Sequence, residues 1–157
     1  MKIALCLFGH TGGMKSKGGS LHGDVDVSRA YSSYKKMILM DNDVDVFIHS
    51  WSIDSKEELI DLYTPNDSLI EKQKDFSSTK LEDYSMKHFD TYTSYFATYK
   101  EKTVSVLQDT MMRSCSRWYS NSKSLELMSL YSKKNNISYD YVFQGRLDLL
   151  LFKKINF

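Results

Sequence analysis

The chain of 157 residues has two cysteines, one proline and almost no net charge, and each scarcity argues against a class of protein. Two thiols, Cys6 and Cys115, cannot build a disulfide framework, and no C-x-x-C or Cys/His cluster marks a zinc site. Both lie in apolar runs and read as buried free thiols. One proline beside 13% aromatic residues argues against a disordered chain. The 21 lysines and arginines against 20 aspartates and glutamates leave a formal charge of +1. Binding nucleic acid by bulk charge needs a positive surplus, so this balance argues against it. No apolar run approaches the ~18 residues needed to span a bilayer. Met1-Lys2 followed by Ile3 to Phe8 looks like a signal peptide, but it ends in Gly9-His10-Thr11-Gly12-Gly13 without a small-x-small cleavage site. It reads as a first strand, and the cytoplasm is the default location.

What is present is ordinary globular material: 41% hydrophobic and 26% charged residues in a chain of single-domain length. Ile3 to Phe8 is a short apolar run closed by glycine, the pattern of a strand buried on both faces. Residues 9–23 hold six of the seven glycines and form a long loop. Asp26 or Ser28 can cap a helix over 28–40, in which Ala30, Tyr34, Met37 and Ile38 recur at helical spacing. Asp41-Asn42-Asp43 is a turn, and Val44 to Ile48 a second strand with His49-Ser50-Trp51 beyond its end. Glu57 to Tyr63 is a short helix stopped by Thr64-Pro65-Asn66-Asp67. A short third strand falls within Ser68 to Phe76, and residues 77–100 are a polar connection.

Leu107, Met111, Cys115 and Trp118 then share one helix face and read as core. Asn121 or Ser122 caps a second helix with Leu125, Met128 and Tyr131, ended by Lys133-Lys134-Asn135-Asn136. Tyr141 to Phe143 is a strand broken by Gly145, and Leu149 to Phe152 a last apolar run. This order predicts an α/β domain with a mostly parallel sheet. Ligands in such sheets bind beyond the carboxyl ends of the strands, where loops 9–23, 49–52 and 145–148 fall.

Several patterns in those loops could carry chemistry. The frame from Gly9 to Ser16 resembles a phosphate loop, but Met14 stands where its second glycine is required. Asp24-Val25-Asp26, Asp41-Asn42-Asp43 and Asp43-Val44-Asp45 could each hold a cation against a diphosphate. The pairs from Asp41 to Asp45, however, precede a strand, at the wrong end for the crevice. Arg146-Leu147-Asp148 is better placed: Arg146 engages phosphate or carboxylate, and Asp148 a metal or a sugar hydroxyl, unless the two pair across the turn. Trp51 suits a base or sugar ring, or else is a core tryptophan beside a hydrogen-bonded His49.

Taken in order, Lys2 to Gly9, Asp45-Val46-Phe47-Ile48-His49-Ser50-Trp51, Leu62-Tyr63-Thr64-Pro65, Trp118 to Met128 and Tyr139 to Leu149 resemble a family. It comprises the small GT-A-type glycosyltransferases of surface polysaccharide synthesis in bacteria and large DNA viruses. The resemblance implies a three-layer, Rossmann-like nucleotide-sugar-binding domain over residues 1–157. It implies transfer of a sugar from a nucleotide-sugar donor to a glycan acceptor, with Mn²⁺ or Mg²⁺. Gly9, His10, His49 and Trp51 would line the nucleotide site, and Tyr119 and Lys123 would face the donor phosphates from a helix start. Arg146 and Asp148 would act at the acidic motif, with Asp148 as metal ligand. Two departures stand out. The acidic motif is Arg-x-Asp instead of Asp-x-Asp, and His10-Thr11 replaces an arginine common after the first glycine. Enzymes of this type also continue well past the acidic motif, whereas nine residues follow Asp148 here. The expectation is therefore a chain lacking the acceptor half, which could be a non-catalytic module needing a partner chain. A homo-oligomer would form through the apolar run at residues 149–152.

Overall fold

A computed structural model describes residues 1–11, 27–76, 100–155 and 157, with side chains of the long helix described from residue 112. The expected glycine loop beyond Thr11, the Asp24/Asp26 pair, the polar connection at 77–99 and the side chains of Leu107 and Met111 lie outside these residues. The chain divides into two compact units, residues 1–72 with 120–157, and residues 73–119.

The first unit is built on strands β1 (Lys2–Gly9), β2 (Asp43–Ser50), β3 (Asp67–Ile70) and β4 (Tyr141–Arg146), all parallel. Their order across the sheet is β3-β2-β1-β4. Helix α1 (Val27–Tyr34), continued by a wider π turn Lys35–Leu39, joins β1 to β2. After a 3-10 turn at Ile53–Ser55, helix α2 (Lys56–Tyr63) joins β2 to β3. The chain then returns through helix α3 (Lys100–Asn135) to place β4 on the far side of β1.

That reversal decides which face each helix covers. Parallel strands are joined by right-handed crossovers, so reversing direction across the sheet moves the connecting helix to the opposite face. The packing agrees. Leu5, Leu7, Val46 and Ile48 meet Val27, Tyr34 and Ile38 of α1 and Leu59 and Tyr63 of α2. The alternate residues Ala4, Cys6 and Phe47 meet Leu125, Leu127, Met128 and Tyr131 of α3. Strand side chains alternate between faces, so β1, buried throughout its middle, must be apolar at every position.

Local signals set the ends of the elements. Thr64 closes α2 in the left-handed conformation with φ 41°, and Pro65 prevents continuation. Asn136 takes φ 53° after α3, a conformation asparagine tolerates. The expected helix start at Asn121 or Ser122 is not there: α3 runs through both without a break. Ser120 and Ser124 are polar because their hydroxyls are bonded inside the fold, not because a helix begins. Gly145 likewise lies within β4 instead of ending it. A Cβ there would overlap the Tyr34 hydroxyl and lie 3.1 Å from its Cζ, so glycine makes room for a buried tyrosine. The run at 149–152 is not a strand. Leu149, Leu150 and Phe152 are exposed, while Leu151 packs on the core and bonds Ser33.

In the second unit, Gln73 bonds Ser116, and Phe76 and Lys74 pack on the Tyr119 ring. Trp118, expected in the core, is exposed at 68%, and Cys115 is half-buried. Cys6 is buried as expected.

Candidate functional site

The strand order reverses between β1 and β4, so the carboxyl ends of these two strands flank the switch point of the sheet. Gly9 ends β1 with φ 103°, a conformation that needs glycine and turns the chain sharply out of the sheet. Register places Gly9 beside Ser50 and Phe8 beside both His49 and Arg146. The segments ending β1, β2 and β4, expected to meet, therefore share one edge.

A buried polar cluster fixes the Gly9 turn. The Gly9 N–H donates to the Ser120 hydroxyl at 2.9 Å. Its carbonyl accepts from the Ser50 hydroxyl at 3.0 Å and the Trp51 N–H at 3.3 Å. Two residues further, the Thr11 N–H donates to the Ser52 hydroxyl at 3.0 Å. His49 stands behind this turn, fully buried, with Nδ1 2.7 Å from Ser120 Oγ and Nε2 3.2 Å from Glu71 Oε1. A carboxylate at Nε2 keeps the ring proton there, which leaves Nδ1 to accept from the Ser120 hydroxyl. The Trp51 ring lies edge-on to His49 at 4.6 Å and is itself buried.

Serine, histidine and glutamate thus lie in hydrogen-bonded order, as in a hydrolase triad. The chemistry differs. Ser120 has no exposed surface and its oxygen already holds the Gly9 N–H, so no substrate carbon reaches it. The arrangement is a clamp that joins β1, β2, α3 and the chain after β3. Ser120 falls within the Tyr119–Lys123 segment expected to face the donor, but neither it nor Glu71 is singled out by the sequence. The buried serines of α3 were legible only as polar residues at helical spacing, which also describes a helix start.

At β4 the turn is held independently. Tyr34 Oη donates to the Arg146 carbonyl at 2.9 Å, and the Leu147 N–H to the Phe8 carbonyl at 3.2 Å. Burial pushes the Tyr34 phenol up to about 12; the Asp148 charge adds to this and Arg146 opposes it. The Arg146 guanidinium meets Asp148 in a two-pronged pair, Nε to Oδ1 at 2.8 Å and Nη2 to Oδ2. Arg146 is 44% exposed and Asp148 23%.

The expected residues therefore have different surroundings. Gly9, Arg146 and Asp148 lie at the sheet edge. His10 is half-buried beside Gly9, while His49 and Trp51 are packed inside. Lys123 lies mid-helix in an ion pair with Glu126 at 2.5 Å, not at a helix start. Tyr119, also mid-helix, belongs to the second unit. A divalent cation does not fit the donors described here. Both Asp148 oxygens face Arg146, and no three His, Cys, Asp or Glu side chains gather among the described residues.

At the opposite, amino end of the strands, Asp45 is buried and fully engaged. It accepts from Lys2 at 2.9 Å, Asn66 at 3.1 Å and Tyr139 at 2.8 Å. The pairing with Asp43 and Asp45 raises the Lys2 pKa. This closed network ties β1, β2 and the entry to β4 together.

The described residues thus form an α/β protein with a four-stranded parallel sheet and helices on both faces. Among them no helix is long and apolar enough to cross a membrane. Comparison with protein-family models, curated proteins and solved structures gave no match.

Proposed function

We infer that the carboxyl edge of β1 and β4 binds the diphosphate of a nucleotide sugar, and that the chain belongs to a glycosyltransferase passing the sugar to a glycan. The observation that carries the binding step is the switch point itself, with the Gly9 turn on one side and the exposed Arg146 guanidinium on the other. Arg146 is suited to offset charge growing on a leaving diphosphate, because its planar fork matches two phosphate oxygens. The transfer step rests on the resemblance of the sequence. His49 serves this site from behind, by holding Ser120 and through it the Gly9 N–H. The acidic-motif role passes to Arg146, since Asp148 is engaged by it.

The test is thermal unfolding of the full chain with nucleoside diphosphates and their sugar conjugates. A ligand at 100 times its Kd stabilises by about 2.7 kcal/mol, a shift of several degrees for a chain of this size. Stabilisation by one nucleotide class, lost in Arg146→Gln, is the expected result. No stabilisation by any nucleotide at millimolar concentration overturns the reading. Binding without sugar release to any acceptor would support a non-catalytic module.

A further inference from the structure

The geometry points to Asp148 as an internal competitor for Arg146: its carboxylate fills the guanidinium fork that a diphosphate would use, and the ligand enters by exchange. This rests on the binding reading above and adds how the site is held when empty and which anions can open it.

Three observations carry it. First, the pair is two-pronged, Nε to Oδ1 at 2.8 Å and Nη2 to Oδ2, so Asp148 presents two oxygens as a phosphate group would. Second, the turn does not depend on the pair. The Arg146 carbonyl accepts from Tyr34 Oη, and the Leu147 N–H donates to the Phe8 carbonyl. The backbone of Arg146 is also paired with Phe8 across the sheet. Releasing the carboxylate leaves the arginine anchored at the switch point. Third, the Arg146 side chain is 44% exposed, so an incoming anion reaches it without unfolding the turn.

A partly exposed ion pair is weak enough to be displaced, yet it occupies the same donor atoms as the ligand. The consequence is selection by shape. An anion must offer two oxygens in one plane to replace both bonds at once. Phosphate, diphosphate and sulfate meet that condition, whereas chloride does not.

The experiment measures calorimetric binding of inorganic pyrophosphate, at low salt, to the full chain and to Asp148→Asn, Arg146→Gln and the double variant. Circular dichroism confirms that each is folded. Asp148→Asn should bind pyrophosphate about two- to fivefold more tightly, the range set by partly exposed pairs. Arg146→Gln should bind it at least about tenfold more weakly. The double variant separates exchange from simple removal of a negative charge. Under exchange, Asp148→Asn gives no tightening once Arg146 is gone. Tightening that persists without Arg146, weaker binding by Asp148→Asn, or no pyrophosphate binding by either protein overturns the inference. Tightening of pyrophosphate with no response to any nucleotide sugar would defeat the functional reading and leave the exchange standing. Nucleotide-sugar binding without tightening would do the reverse.

Discussion

The two faces of the sheet are built from different chemistry. Toward α1 and α2 the buried set is ten apolar and tyrosine side chains. Toward α3, among the described residues, the buried apolar cluster is the smaller set Ala4, Cys6 and Phe47, accompanied by the buried Asp45, His49, Ser120 and Ser124. Apolar burial is non-directional and stabilises any close arrangement. Buried hydrogen bonds are directional, and leaving one unmade costs about 1–3 kcal/mol. The α1/α2 face therefore supplies most of the cohesion. The α3 face fixes where Ser120 sits along β1 and β2, and with it the Gly9 turn. Position along α3 is a property the site depends on, since a slip of one helical turn would carry Ser120 away from His49.

The largest expected effect separates the faces by pH. Cys6 lies on the α3 face with no exposed surface, and burial pushes its thiol up to about 12. In the unfolded chain the same thiol loses its proton near pH 9. The native state then holds more protons than the unfolded state, so stability falls as pH rises from about 9 to 12. A shift of this size corresponds to on the order of 4 kcal/mol once the window is crossed. Tyr34, also pushed up to about 12, acts in the same direction from the other face. Urea unfolding of wild type and Cys6→Ala at pH 8 and pH 11 should show the gap between them shrinking at the higher pH. A constant gap would mean the thiol is not buried in water-free surroundings.

Removing the clamp comes next. His49→Ala leaves a cavity and removes the ring's bonds to Ser120 and Glu71, for a loss of about 3 kcal/mol. Because the Gly9 N–H depends on Ser120, amide exchange at Gly9 should accelerate more than at Ile3, at the far end of the same strand. Equal acceleration along β1 would show that His49 supports the fold generally and not the turn.

The same contrast explains what the sequence made legible. β1, β2, α2, the short β3 and the end of α3 were readable because their apolar spacing, glycine, proline and paired lysines act locally. The parallel sheet followed from element order, and the shared edge of the segments 9–13, 49–51 and 145–148 followed from the sheet, residues 9–11 of the first being described. The α3 face departs from its sequence pattern for a physical reason. Buried polar residues break the apolar rhythm that marks a helix interior, so Ser120, Asn121, Ser122 and Ser124 imitated a cap. Glycine disfavours strands, so Gly145 reads as a strand end in the sequence, while the actual constraint, the Tyr34 hydroxyl, comes from a distant helix. Whether Arg146 and Asp148 would face a ligand or each other turned on side-chain direction, which spacing leaves open.

The smallest expected effect lies on the apolar face and has the opposite sign. Tyr63 is 3% exposed, and its buried hydroxyl has no hydrogen-bond partner among the described residues. Its ring packs edge-on against Tyr31 at 5.0 Å and against Tyr34 at 6.4 Å. The hydroxyl gave up water on folding and gained no bond from the described residues, and burial raises its pKa. Tyr63→Phe keeps both ring contacts and removes only the orphaned oxygen. It should therefore raise stability by up to about 1 kcal/mol, most visibly at alkaline pH, where the phenol would otherwise ionise on unfolding. Tyr34→Phe is the matched control. The Tyr34 hydroxyl donates to the Arg146 carbonyl, so its removal should destabilise by about 1 kcal/mol and loosen the β4 turn. If Tyr63→Phe destabilises as much as Tyr34→Phe, the Tyr63 hydroxyl has a partner in solution, and the α1/α2 face is less purely apolar than its packing indicates.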